Sequence, residues 1–383
     1  MRATVTATAR YLPERVLTNA DLEKMVDTSD EWIRNRTGIE KRHLVSEGEV
    51  TSDMCAHIAN RLLEKSKKSA GEIDVILIAT CTPDFPVVAT AAIVQDKIGA
   101  KNAWGFDIAA ACSGFVYAME TGAKMIESGR YNNVMVMGAD TMSSIIDYSD
   151  RNTCVIFGDG GGGVLLEPTD TDAGVLDSIL HADGSGSQYL KVPAGGSVHP
   201  ASKDTIEKKM HYVYQDGKTV FKFAVKKMAD VSKEILDNNG FTGSDIKLFI
   251  PHQANRRIID AAAKRCGLSP DQILVNINKY GNTTAGTIPI ALDEAVETDR
   301  LSNGDLLLLA AFGGGFTWGS MLIRWGDAWC LLHSYARGKL PRKWAWDLTY
   351  IKRQLWANNI LTAPTKSWVW ISKILYSADQ KTH

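Results

Sequence analysis

Trp104-Gly105-Phe106-Asp107-Ile108-Ala109-Ala110-Ala111-Cys112-Ser113-Gly114-Phe115 changes its hydrophobic period halfway along. Phe106 to Ala111 reads as a buried strand that narrows into small residues, and from Ser113 the apolar positions Phe115, Val116, Met119, Ala123 and Ile126 fall at helical spacing. Cys112 therefore sits where a strand turns into a helix. A thiol at a helix N-terminus faces unpaired backbone N–H groups and the positive end of the macrodipole, which favour thiolate and so make a nucleophile. The small neighbours Ala110, Ala111, Ser113 and Gly114 leave room for a bulky thioester. A lone cysteine in a helical setting is more often an inert core residue, so its partners decide between the two readings.

Working outward, Val75 to Ala79 and Val134 to Gly138 are short, β-branched-rich apolar runs bounded by turn residues, hence buried strands. Leu248 to Ile250 and Leu306 to Ala310 repeat that rhythm, each pair roughly sixty residues apart, which predicts a duplicated unit. Each half carries a small-residue turn between its two strands: Ala109 to Gly114 in one, Gly281-Asn282-Thr283-Thr284-Ala285-Gly286 in the other. The two turns are expected to meet across a pseudo-dyad. Strands alternating with helical patterns argue for an α/β chain.

His252 stands apart among the eight histidines, because Pro251-His252-Gln253-Ala254-Asn255 follows a strand and opens a helix. A histidine there is more often a surface or capping residue, and Gly281-Asn282 alone is a common turn dipeptide. If both converge on Cys112, the chemistry is specific. Cys112 accepts an acyl group as a thioester, while His252 and Asn282 donate hydrogen bonds to one carbonyl oxygen. Asn cannot act as a base, so it suits a site where charge develops on oxygen without proton transfer, as in the enolate left when a malonyl thioester loses CO2. In Phe312-Gly313-Gly314-Gly315-Phe316-Thr317-Trp318-Gly319, flanking aromatics argue for a packed loop, and the Gly314 N–H with that of Cys112 could form an oxyanion hole. Phe157 to Gly163 lacks the Lys-Ser/Thr of a phosphate loop and reads as tight sheet packing.

Composition sets the outer limits. With 383 residues, 45% of them apolar, the chain can bury a substantial core. A net charge of −1 gives no sign of nucleic-acid binding. No leader pattern and no apolar run long enough for a membrane span can be read, which makes a cytoplasmic protein the expectation. The six cysteines form neither CxxC nor metal-finger spacing, so reduced thiols and no zinc are expected.

These motifs together closely resemble the β-ketoacyl-acyl-carrier-protein synthase III family of the thiolase-like superfamily. The resemblance runs over about residues 1 to 325, from Tyr11-Leu12-Pro13 through Asp27-Thr28-Ser29-Asp30-Glu31-Trp32-Ile33 and Arg36-Thr37-Gly38-Ile39 to Trp318-Gly319-Ser320. It implies a Cys112, His252, Asn282 triad, a five-layered αβαβα fold of two related halves (1–172 and 173–325), and a homodimer. The activity it implies is condensation of a short acyl-CoA, acetyl-CoA first among them, with malonyl-acyl carrier protein, with no metal or redox cofactor. Thr28, Trp32, Arg36, Arg151 and Asn255 are assigned to coenzyme A by the same resemblance. An indole suits adenine stacking and guanidinium groups suit phosphates. An acidic carrier protein needs a basic dock, for which Lys222, Arg256, Arg257, Lys264 and Arg265 are the candidates, Arg257 foremost. Phe85 matches an aromatic that reaches into the partner subunit's acyl pocket, although Val87-Val88 departs from the family's usual Pro. A specialised-metabolite or polyketide-type condensing enzyme with the same triad is the nearest chemical rival, and a catalytically silent scaffold the non-enzyme alternative.

Residues 326 to 383 break the pattern. They hold six of the ten tryptophans, with 9 basic and 3 acidic residues. Trp344, Leu348, Ile351 and Leu355 fall on one helical stripe with Lys343, Lys352 and Arg353 off it, as in a basic amphipathic helix. Packing on the body, or an extension without a selected role, is favoured over membrane contact.

Overall fold

The computed structural model describes residues 1–326; the expected amphipathic helix at 344–355, and any membrane contact by it, lie outside the described residues. The strands of the two principal sheets are β1 (Arg2–Tyr11), β2 (Val75–Ala79), β3 (Trp104–Ile108), β4 (Val134–Asp140), β5 (Gly160–Thr169), β6 (Gly174–Ala182), β7 (Ile246–Pro251), β8 (Leu306–Gly313) and β9 (Thr317–Arg324). The helices that matter are α1 (Asp30–Thr37), α2 (Thr51–Ser66), α3 (Thr90–Lys97), α4 (Gly114–Glu127), α5 (Gly217–Asn238), α6 (Arg256–Cys266) and α7 (Thr287–Glu297).

One sheet has the order β1-β5-β4-β2-β3 and the other β6-β9-β8-β7. In each, the two apolar runs singled out in the sequence are parallel neighbours: Val75 to Ala79 against Val134 to Gly138, and Leu248 to Pro251 against Leu307 to Ala310. A parallel bridge between Phe249 and Ile273 stands in the second sheet where β3 stands in the first. The duplication predicted from spacing is thus a repeated order of strands.

Alternation along the buried strands builds five layers, because successive side chains leave a strand on opposite faces. Val75, Leu77 and Ala79 of β2, and Leu248, Ile250, Leu307 and Leu309 of the second sheet, join one central core with α4 and α7. Ile76 and Ile78 turn the other way onto α2 and α3, while Phe249, Leu308 and Ala310 turn onto α5 and α6. Helices therefore lie outside both sheets and between them, in the order αβαβα. Each fully buried Leu or Ile contributes roughly 1.5–3 kcal/mol of transfer free energy.

Two details depart from the sequence reading. The strand leading to Cys112 ends at Ile108, and its residues are half-buried rather than buried. Among the described residues, β3 lies at the edge of its sheet with only β2 beside it, so one flank has no neighbour there. Asp107 points away from the central core and accepts from the backbone N–H groups of Thr90 and Ala91 at the start of α3. The glycine run at 160–163 packs as expected. A Cβ on Gly161 would lie 2.4 Å from that of Ala139, and one on Gly162 would lie 2.8 Å from the Ile290 nitrogen.

Candidate active site

Cys112 lies in a single 3-10 turn, Ala111–Ser113, directly before α4. Ala111 is held at φ +48°, a left-handed conformation that costs a residue with a Cβ on the order of 1–3 kcal/mol. The turn is stapled from the other half of the chain. Thr317 Oγ1 lies 2.6 Å from Ser113 Oγ and donates to the Ala110 carbonyl at 3.0 Å. Strain fixed in this way aims one side chain, much as a nucleophile elbow does.

The matching turn before α7 repeats the geometry, with Thr284 at φ +50°. Here the residue two positions earlier, Asn282, is the one fixed. Its backbone N–H donates to the Ile156 carbonyl at 3.0 Å and its carbonyl accepts from Gly158 at 3.1 Å. The Thr284 N–H donates to Asn282 Oδ1 at 2.8 Å. That bond consumes the amide oxygen and leaves the Nδ2 N–H groups as the face Asn282 can offer a ligand. Thr284 is anchored in turn through its hydroxyl on Asp140, a buried carboxylate that also accepts from Thr80, Thr82 and the Cys81 N–H.

His252 follows β7, its backbone N–H bonded to the Ala310 carbonyl at 2.8 Å. Its ring Nδ1 lies 2.7 Å from Thr287 Oγ1 at the start of α7. Burial drives the imidazole down to about 3, so the ring is neutral at any ordinary pH. Burial, with the Asp140 charge adding to it, pushes the Cys112 thiol up to about 12. This corrects the sequence expectation of a resting thiolate. The backbone N–H of Cys112 itself favours the charged form, but loss of water around the sulfur outweighs it, so the nucleophile rests as a thiol.

Cys112, His252 and Asn282 line one cavity of about 660 Å³, together with Trp32, Arg36, Asn255, Arg257, Phe312 and Gly313. The residue brought against the nucleophile is Gly313: a Cβ there would stand 2.8 Å from the Cys112 nitrogen. Gly314 does not line the cavity, although its N–H belongs to the peptide that joins it to Gly313. Trp32 and Arg36 share α1, with the Arg36 guanidinium 5.8 Å and that of Arg151 4.7 Å from the indole centroid. Thr28 Oγ1 is buried without a hydrogen-bond partner among the described residues. Asn255 commits both ends of its amide, to the Arg36 carbonyl and to the Arg257 N–H at the start of α6.

Arg257 stacks on Phe221, 4.9 Å from the ring centroid, at the same cavity. Lys222 and Lys264 are exposed, whereas Arg256 is paired with Asp260 and Arg265 with Asp230. Phe85, 59% exposed, lies outside the cavity of its own chain. Two contributors went unread in the sequence, Thr287 and Asp140, while Gly313 was read only as part of its packed glycine loop. The Thr-rich turn 283–287 was the available signal, because hydroxyls beside a candidate Asn are hydrogen-bonding partners in reach.

Two family models match, 3-oxoacyl-[acyl-carrier-protein] synthase III over residues 106–184 and its C-terminal counterpart over 236–325. The β-ketoacyl-[acyl-carrier-protein] synthase III of Chlorobium chlorochromatii is 55% identical over 328 residues, 85% of this chain and all of the relative. That of Chlorobium phaeovibrioides is 53% identical with the same coverage. The chain belongs to the β-ketoacyl-acyl-carrier-protein synthase III family. The crystal structure of the synthase III from Aquifex aeolicus superimposes with a TM-score of 0.78 at 42% identity, covering 84% of this chain and all of that one. In this chain the two strained turns and the end of β7 meet at one cavity. No helix among the described residues is long and apolar enough to cross a membrane.

Proposed function

We propose that this synthase III chain joins a short acyl-CoA, acetyl-CoA first among them, to malonyl-acyl carrier protein by decarboxylative condensation. The observation that carries the reading is the shared cavity of Cys112, His252 and Asn282, with the Asn282 amide fixed oxygen-inward by Thr284. In the first half-reaction the Cys112 sulfur attacks the acyl-CoA carbonyl. The oxyanion rests on the N–H groups of Cys112 and Gly314, the C–S bond to coenzyme A breaks, and the thiol proton leaves with coenzyme A. Malonyl-carrier protein then binds. Its C–C bond to the carboxylate breaks, CO2 departs, and the electron pair forms an enolate whose oxygen accepts from Asn282 Nδ2 and the His252 ring. The enolate carbon attacks the Cys112 thioester, the 3-oxoacyl product stays on the carrier protein, and the cysteine leaves as thiolate and takes a proton from solvent.

Coenzyme A is held by Trp32 and Arg36 in the cavity wall with Arg151 stacked over the Trp32 indole, Asn255 shaping the wall and Thr28 assigned to the same ligand by the family resemblance. The carrier protein docks on the basic faces of α5 and α6, through Arg257, Lys222 and Lys264, with Arg256 and Arg265 beside them. The working unit is a homodimer with halves dividing near 172/173. The open edge of β3 and the exposed Phe85, Val87 and Val88 support a second copy there. The test is Asn282→Ala, followed by acetylation of Cys112 by intact mass and by 3-oxoacyl product from malonyl-carrier protein. Loss of one enolate donor is expected to slow condensation on the order of 100-fold while acetylation is largely spared. Equal loss in both half-reactions refutes the division of roles.

A further inference from the structure

The His252 ring has two neutral forms, and only the one with a proton on Nε2 can donate to an enolate oxygen in the cavity. Which form is present is set by the partner of Nδ1. A backbone carbonyl or a carboxylate at Nδ1 would demand an N–H there and leave Nε2 bare. The partner in this chain is a hydroxyl, Thr287 Oγ1, at 2.7 Å. A hydroxyl can donate, and it has one proton to give.

Two acceptors are in reach of that proton: His252 Nδ1 at 2.7 Å and the Thr284 carbonyl at 3.1 Å. The Thr284 carbonyl already accepts the backbone N–H of Thr287, so it needs no second donor. Among the described residues, Nδ1 has only the hydroxyl. Thr287 and His252 are both almost wholly buried, 3% and 1% exposed, so water cannot substitute for either partner. We infer that Thr287 is a positioning residue that donates its hydroxyl to His252 Nδ1, fixing the Nε2–H tautomer and so making His252 a hydrogen-bond donor alongside Asn282 Nδ2. This rests on the enolate-holding role given to His252 above. Burial keeps the ring uncharged, so two neutral N–H donors face the enolate oxygen and the His252 ring adds no positive charge that would hold the malonyl carboxylate back from losing CO2.

The test uses Thr287→Val, which removes the hydroxyl at nearly constant volume, and Thr287→Ser, which keeps it. Condensation by Thr287→Val should fall roughly tenfold, the value of one neutral hydrogen bond governing the tautomer. Cys112 acetylation should be nearly unchanged, and Thr287→Ser should restore condensation. Nitrogen-15 spectra of histidine-labelled wild-type acetyl-enzyme should show a neutral His252 with Nε2 protonated and Nδ1 bare. A ring protonated on Nδ1 overturns the inference, whether or not the valine variant folds. So does equal loss by the valine and serine variants, which would mean packing alone. His252→Ala separates the two levels of the reading: if it condenses at the wild-type rate, the enolate role itself fails. If it is inactive while Thr287→Val is not, only the role of Thr287 fails.

Discussion

Gly313→Ala places a methyl group against the nucleophile turn, and the structure says how hard. The added Cβ would lie 2.8 Å from the Cys112 nitrogen, 3.0 Å from that of Ser113 and 3.2 Å from the Ala110 carbonyl oxygen. All three are backbone atoms, so no flexible side chain can swing aside. Ordinary contact begins near 3.4 Å, which leaves about 0.6 Å to be made up by moving β8 or the turn. The turn resists, because Thr317 ties Ser113 and Ala110 to the β8–β9 hairpin and Ala111 is already strained. Overpacking of this kind typically costs ~1–3 kcal/mol of stability. A misplacement of about 1 Å at reacting atoms can cost ~100-fold in rate, so a shift near half that should slow acetylation by about 10- to 100-fold. The assay is the rate at which acetyl-CoA adds an acetyl group to Cys112, read by intact mass, together with the thermal midpoint. Gly184→Ala is the control, since a Cβ there meets nothing among the described residues within 4 Å. Acetylation of Gly313→Ala at the wild-type rate with an unchanged midpoint would refute the claim that this glycine sets the position of the sulfur.

Cys112→Ser should form no acetyl adduct with acetyl-CoA, because a serine hydroxyl without a base is a far weaker nucleophile; an adduct on another residue in wild type would remove Cys112 from its role. Burial holds His252 at about 3 while the unfolded chain takes up the proton below about 6.5, so the native state loses ground as pH falls through that window and is indifferent above it. From pH 7 to pH 5 the penalty is about 2 kcal/mol. Urea unfolding of wild type and His252→Gln at pH 7 and pH 5 should show the difference in stability between them shifting by that amount toward the variant, and a constant difference would contradict it. Arg257→Glu should raise the KM for malonyl-carrier protein about tenfold and flatten its salt dependence, with acetylation by acetyl-CoA little affected. An unchanged KM would take Arg257 out of the dock.

The fold was legible where burial on both sides of a strand leaves unbroken apolar runs: β2, β4, β7 and β8 all announce themselves, and their spacing betrays the duplication. β3 was harder, because a strand at an open edge mixes Trp104 and Asp107 with Phe106 and Ile108, and nothing in that mixture says which flank lacks a neighbour. Cys112 and His252 stood out because each follows a strand at a turn, and Asn282 because its turn runs into a helix as the one after Cys112 does. What the sequence could not carry was the balance between backbone hydrogen bonding and burial at Cys112. Both effects act on the same sulfur, and only the depth of the site decides that the thiol is pushed up. Nor does any residue pattern mark Ala111 and Thr284 as left-handed. Neither residue type favours that conformation, and both adopt it because the surrounding packing over-determines them.

Those two strained residues explain how one duplicated unit yields an asymmetric site. Aligning them places Cys112 opposite Ala285, Ser113 opposite Gly286 and Gly114 opposite Thr287, each turn running straight into a helix. The residue after the strained position is the nucleophile in one half and a methyl group in the other. A Cβ on Gly114 would come within 3.7 Å of that of Ala285, so a larger residue at 285 would press on the start of α4. The second turn gives up that position to close packing and works from its flanks instead. Asn282, two residues before the strain, offers its amide, and Thr287, three residues after it, reaches His252. A symmetric pair of turns would have put two thiols or two amides face to face. Displacing the functional residue along the second turn is what brings a nucleophile from one half against hydrogen-bond donors from the other.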